Sequence, residues 1–151
     1  MRLMLDSNVY DSLLADRDLL EQVKRAIHVG RLELLTTHVQ QDELSRIVQP
    51  AKRDALQSLP ITFVRVATSG AAWDVSKWDD AEWGDDSGRI EKMVGGNSKH
   101  IEDALISATA DAKANVLVTN EKRLAGMVGR AGFGVEVWSV AQLAEWLRKS
   151  A

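Results

Sequence analysis

Four carboxylates in this chain occupy settings unlike those of solvated surface acids. Asp6 closes the apolar opening of MRLMLDSNVY and is followed by Ser7 and Asn8. Glu43 stands four residues from both Val39 and Ile47, so a helix there turns it to the same face as two apolar side chains. Asp103, in HIEDALISATA, begins a face continued by Ile106, Ser107, Ala110 and Ala114. Glu121 follows an apolar run in VLVTNEKRL. Brought together, such groups would repel and raise one another's pKa values until some held protons. A divalent cation removes that conflict. Oxygen donors without cysteine or clustered histidine suit Mg2+ or Mn2+, which keep some of their water and bind through a few carboxylates plus substrate phosphate. The chemistry such a site supports is phosphodiester hydrolysis: one ion acidifies a water for attack on phosphorus, and another stabilises the leaving 3′-oxygen.

Convergence requires elements that deliver all four acids to one place. Short apolar runs at Arg2 to Leu5, Leu32 to Thr36, Ile61 to Val66, Val116 to Thr119 and Val135 to Trp138 read as about five strands. They alternate with helix-period segments: Asp18 to Val29, closed by Gly30; His38 to Val48, ended before Pro50; His100 to Ala114; and Ser139 to Lys149. That alternation predicts a parallel α/β sheet, in which ligands bind at the carboxyl edge of the strands. Asp6 and Glu121 both follow strands at that edge, and Asp103 lies in the first turn of its helix.

Composition bounds the rest. The chain has 151 residues, 45% hydrophobic and 27% charged, which predicts one globular domain spanning 1–151. No apolar run reaches 18 residues and no secretory signal layout opens the chain, so a cytoplasmic protein without a membrane anchor is expected. The absence of cysteine excludes disulfides and thiol catalysis. The net charge of −3 argues against a non-specific nucleic-acid coat but is blind to a local basic rim. Residues 67–99 break the rhythm with an irregular, tryptophan-rich acidic insertion, expected to contain a short helix near 71–78 or 88–94.

Taken in order, LDSN, Glu43 within a helix, EDALISATA and VTNEKRL resemble the PIN domain family of metal-dependent ribonucleases, which includes the VapC-type toxins of toxin–antitoxin pairs. The resemblance covers almost the whole chain. It implies a three-layer sandwich with a central, mostly parallel sheet of about five strands flanked by helices. It also implies an acidic pocket binding Mg2+ or Mn2+ and endonucleolytic cleavage of RNA. Asp6, Glu43, Asp103 and Glu121 fall on the family's acidic positions, and Asn8 and Thr119 on its supporting polar positions. The last acidic position is more often aspartate or asparagine in the family, so Asn120 and Glu121 both stand as candidates for the fourth ligand. By the same resemblance a homodimer and an antitoxin protein are the expected partners beside RNA.

Each residue also has a plainer reading. Asp6 can cap a helix, Glu102 and Asp103 can complement a helix dipole, and Thr119 and Asn120 can cap the helix that begins near Glu121. Trp73, Trp78 and Trp83 recur every five residues and suit a small satellite core better than a base-stacking platform. Asp79, Asp80, Asp85 and Asp86 would repel a phosphate backbone. Lys99, Arg89, Lys122 and Arg123 flank the acidic motifs and are the candidates for phosphate contact, with His100 as a lesser one. The alternative function is a non-catalytic PIN-like module that binds a protein. A phosphatase would require DxD where Asp6, Ser7 and Asn8 stand, and a receiver domain lacks its central aspartate and lysine here.

Overall fold

A computed structural model describes residues 1–69, 81–82, 88–95, 97 and 100–150. The first half runs β1 (Arg2–Leu5), α1 (Ser7–Ala15), α2 (Arg17–His28), β2 (Glu33–Thr36), α3 (His38–Ser45), α4 (Pro50–Gln57) and β3 (Phe63–Arg65). Two short strands, β4 (Thr68–Ser69) and β5 (Ala81–Glu82), then pair with each other, followed by α5 (Arg89–Val94). The second half runs α6 (Ile101–Lys113), β6 (Val116–Val118), α7 (Lys122–Ala131), β7 (Glu136–Trp138) and α8 (Val140–Lys149).

The central sheet has five strands in the order β3-β2-β1-β6-β7, every pair parallel. Parallel strands joined by crossover helices are covered on both faces, and their residues accordingly lack polar alternation. Leu3, Leu5, Leu34, Val116 and Val118 pack with Val9, Leu13, Leu19, Val23, Leu143 and Leu147 of α1, α2 and α8. Met4, Leu35 and Leu117, which lie side by side across three strands, pack with Val39, Leu105, Leu124 and Val128 on the opposite face. The result is a three-layer α/β sandwich, as the sequence predicts. Each fully buried leucine contributes roughly 1.5–3 kcal/mol, so the two cores together fix the register of the strand ends that carry the polar residues.

Strand order reverses at β1. The chain moves outward through β2 and β3, then returns to the other side of β1 for β6 and β7. The carboxyl ends of β1 and β6 therefore form the switch point of the sheet, where open α/β folds leave a crevice. Asp6 N–H donates to the Val118 carbonyl at 2.9 Å and Thr119 N–H to the Trp138 carbonyl at 2.9 Å, which extends the ladders by one residue and fixes Asp6 beside Thr119.

Several boundaries differ from the sequence expectation. The helix starting at His38 ends at Ser45, not Val48, and Ile47 lies outside it; Val48 is 90% exposed. Pro50 does not only stop a helix but opens α4 at its first position, where its missing N–H costs nothing. Within the insertion, the helix expected near 88–94 is present as α5, bracketed by Gly88 and Gly95 at φ of 72° and 56°. The one expected near 71–78 lies outside the described residues, as do Trp73, Trp78, Trp83, Asp79, Asp80, Asp85 and Asp86. The described parts of the insertion cover α6: Ser69 N–H donates to Thr109 Oγ1 at 2.9 Å, and Lys113 Nζ to the Ala67 carbonyl at 2.9 Å. Thus α6 is enclosed on all sides from Ala104 to Ala110, which explains its run of small residues. Among the described residues no helix is long and apolar enough to cross a membrane.

Candidate functional site

Asp6 is 4% exposed at the end of β1 and performs two tasks. Its Oδ1 accepts from Ser7 N–H at 2.8 Å as the N-cap of α1. Its Oδ2 accepts from Asn8 Nδ2 at 2.7 Å and from the Thr119 hydroxyl at 2.8 Å. The capping and site readings of this residue are therefore compatible, because a carboxylate has two oxygens and each is used differently. Thr119 in turn accepts from Glu121 N–H at 3.0 Å, so one hydroxyl ties β1, β6 and the start of α7 together.

Glu43 arrives from α3. A capping box starts that helix: Thr37 and Gln40 bond reciprocally, and Gln40 Nε2 also donates to the Leu5 carbonyl at 3.3 Å. This pins α3 to the carboxyl end of β1 and leaves Glu43 one turn further along, where its Oε2 accepts the Ser7 hydroxyl. Glu102 of α6 forms an ion pair with Arg46 at 2.6 Å and its charge acts on the Glu43 carboxyl. Glu102 is thus part of the acidic face and more than a complement to the helix dipole.

Asp103 follows on the first turn of α6, partly buried. Arg123 of α7 bridges it to Glu121: Nη2 lies 2.7 Å from Glu121 Oε1 and 3.5 Å from Asp103 Oδ2. The other terminal nitrogen of Arg123 meets His100 Nε2 at 2.8 Å. Asn120, by contrast, is engaged elsewhere. Its Nδ2 donates to Ser12 Oγ at 3.1 Å and its Oδ1 accepts from Val140 N–H at 3.2 Å, which links α1 to α8. Of the two candidates for the fourth acidic position, Glu121 is the one whose charge acts on the other acids.

The electrostatics record that proximity. The Asp6 carboxyl is raised above its usual range, by burial first, against the opposing bonds from Thr119 and Ser7 and with repulsion from Glu121 adding to the rise. Asp103 is pushed up to about 6, by burial and then by the charges of Asp6 and Glu121, with Arg123 and His100 pulling the other way. Glu43 is pushed up to about 8, chiefly by burial, with Glu102 and Asp6 adding to it. Carboxyls raised in this way by burial and by one another's charge are short of positive charge.

The donor set is oxygen-only and anionic, which fits a hard divalent ion. Among the described residues, however, no three histidine, aspartate or glutamate side chains stand close enough together to hold one. Asp103 and Glu121 are bridged by a guanidinium, so sharing a cation requires Arg123 to release one of them.

The expected phosphate contacts separate in the structure. Lys122 and Arg123 are exposed at the start of α7 beside the acids. Arg89 is committed to Asp111 at 2.9 Å and lies over the Phe133 ring at 5.1 Å. Lys99 lies outside the described residues. Sequence reasoning gave Glu102 a helix-dipole role alone and passed over Arg46; their pairing joins residues 56 positions apart, beyond the reach of any local spacing. Compared with known proteins, the chain matches no family model, no curated protein and no solved structure.

Proposed function

We propose that the protein is a Mg2+- or Mn2+-dependent endoribonuclease of the PIN type, acting at the carboxyl edge of β1 and β6. The observation that carries this reading is geometric: at the switch point of a parallel sheet Thr119 binds both the Asp6 carboxyl and Glu121 N–H, and Arg123 joins Glu121 to Asp103. Asp6, Asp103 and Glu121, which stand too far apart to hold an ion in the present arrangement, would close on one when Arg123 releases Asp103 or Glu121, with Glu43 of α3 as the fourth carboxylate. When bound, the ion supplies acidification of a water and stabilisation of the leaving oxygen. The chain's own residues do the positioning. Asn8 and Thr119 orient the Asp6 carboxylate, Ser7 orients Glu43, and Arg123 is placed to meet the charge of a substrate phosphate once it leaves Asp103. A toxin with a cognate antitoxin, acting as a homodimer, is the partnered form of the same reading.

A second reading, a non-catalytic module that binds a protein, is favoured by one feature: Arg123 and Arg46 already neutralise part of the acidic face from within. Incubating the protein with single-stranded and hairpin RNAs in EDTA, Mg2+ or Mn2+ separates the two. The nuclease reading expects products only with an ion. No cleavage in any ion, together with no cation uptake by calorimetry, supports the second reading.

A further inference from the structure

Beside the acidic face lies a groove of about 360 Å³ between α5 and α7 whose character is opposite. Its floor is apolar, formed by Met93 and Met127, both buried. Its rim is cationic, with Lys92 on α5 and Arg123 and Arg130 on α7, and His100 at the end nearer Asp103. Lys92 and Arg130 are exposed, and among the described residues neither is paired with a carboxylate. Unlike Arg89, which Asp111 neutralises, they leave their charge available to a ligand. Gly126, inside α7, leaves room for the Arg130 guanidinium to lie back along the helix: a Cβ there would stand 3.1 Å from Nη1.

Arg123 belongs to both places. One terminal nitrogen of its guanidinium faces Glu121 and Asp103, and the other faces His100 and, at 3.7 Å, the Met127 sulfur in the groove.

We propose that the groove between α5 and α7 binds the phosphate backbone of a single-stranded nucleic acid, with Lys92 and Arg130 contacting phosphates and Met93 and Met127 receiving a sugar or base. The choice of a strand as occupant rests on the reading of the adjoining acidic face as a phosphodiester-cleaving site. A strand lying here leads past Arg123 to Asp103. A positively charged groove that tracks the backbone is one half of the combination that binds single strands without sequence preference; where such grooves present aromatic platforms, this one presents the polarisable side chains of Met93 and Met127. Of the phosphate contacts expected from sequence, on Arg89, Lys99, Lys122 and Arg123, Arg123 lines this groove, and Lys92 and Arg130 join it there.

The test is fluorescence anisotropy of a labelled single-stranded RNA of about ten nucleotides, titrated with the full chain in EDTA at several salt concentrations. Wild-type protein is compared with Lys92→Gln/Arg130→Gln. A control, Lys24→Gln/Arg25→Gln, removes two charges from a separate cavity between α2 and residues 60–62. Circular dichroism confirms that all three proteins are folded. The expected result is about ten-fold weaker binding at low salt for the groove variant and a salt slope smaller by about 1.4, at about 0.7 per phosphate contact; the control binds as wild type. Equal affinity and slope in the groove variant, or no binding by wild type at low salt, overturns the proposal. Because the assay contains no divalent ion, it is independent of catalysis. Groove-dependent binding without cleavage in Mg2+ or Mn2+ keeps the groove and removes the nuclease reading, whereas cleavage with binding indifferent to Lys92 and Arg130 does the reverse.

Discussion

The Thr119 hydroxyl donates to Asp6 Oδ2 at 2.8 Å, joining residues 113 positions apart at the ends of neighbouring parallel strands. The contact exists because Leu5 pairs with Val118, so the residues that follow each strand emerge side by side. Threonine suits this place because its hydroxyl donates to Asp6 while accepting from Glu121 N–H.

Thr119→Val keeps the shape and removes all three bonds of the hydroxyl, to the buried Asp6 carboxylate, from Glu121 N–H and, at 3.4 Å, from Asn8 Nδ2. The expected loss is about 1–3 kcal/mol of stability, read as the shift in urea midpoint in EDTA, with Thr119→Ser recovering most of it. An unchanged midpoint in the valine variant would show that the bond does not hold the two strand ends.

The raised carboxyls make the metal-free protein sensitive to pH in a defined direction. Asp103 titrates at about 6 when folded against an ordinary 3.8, and Glu43 at about 8 against 4.5. The folded state therefore binds these protons more tightly than the unfolded chain, so stability falls as pH rises through each window. Thermal unfolding in EDTA should show the melting temperature declining from pH 5 to 8.5, with Glu43→Gln flattening the upper part of the decline. A melting temperature that climbs over the same range in wild type contradicts the acidic cluster.

Adding Mn2+ or Mg2+ should reverse that decline. Ligands must be deprotonated to bind, so the gain in melting temperature is larger at pH 8 than at pH 6. At a free ion concentration 100 times Kd the stabilisation is about 2.7 kcal/mol. Calorimetric unfolding with and without the ion measures it, and Asp103→Asn should remove most of the gain.

Arg123 competes for the same carboxylates. Arg123→Gln should lower stability in EDTA, because Glu121 and Asp103 lose their bridging charge, and should tighten divalent-ion binding by isothermal titration. Weaker ion binding in this variant would mean that the guanidinium helps to shape the site instead of occupying it.

The parts legible in the sequence are those set by local pattern. Apolar runs located the five strands within about two residues, and the position of Asp6 and Glu121 just after strands placed both at one edge. Less legible was whatever depends on contacts between layers. Pro50 reads as a stop in isolation, but the polar stretch after it is a helix because Leu56 finds a buried place against the core. Glu102 looks like a solvated neighbour of Asp103 until α3 and α6 are docked and its partners prove to be Glu43 and Arg46. Arg89 illustrates the converse: its proximity in sequence to acidic motifs said nothing of Asp111 and Phe133, which the fold places beneath it.

The most direct test of the central claim is the rate of RNA cleavage in Mn2+ by wild-type protein beside Asp6→Asn and Asp103→Asn proteins purified identically. These substitutions remove one charge each and keep the side-chain volume, so folding should be retained by circular dichroism. Wild type should cleave only with the ion and not in EDTA, and both variants should lose at least about 100-fold in rate. Cleavage that survives in folded Asp6→Asn and Asp103→Asn proteins would contradict it.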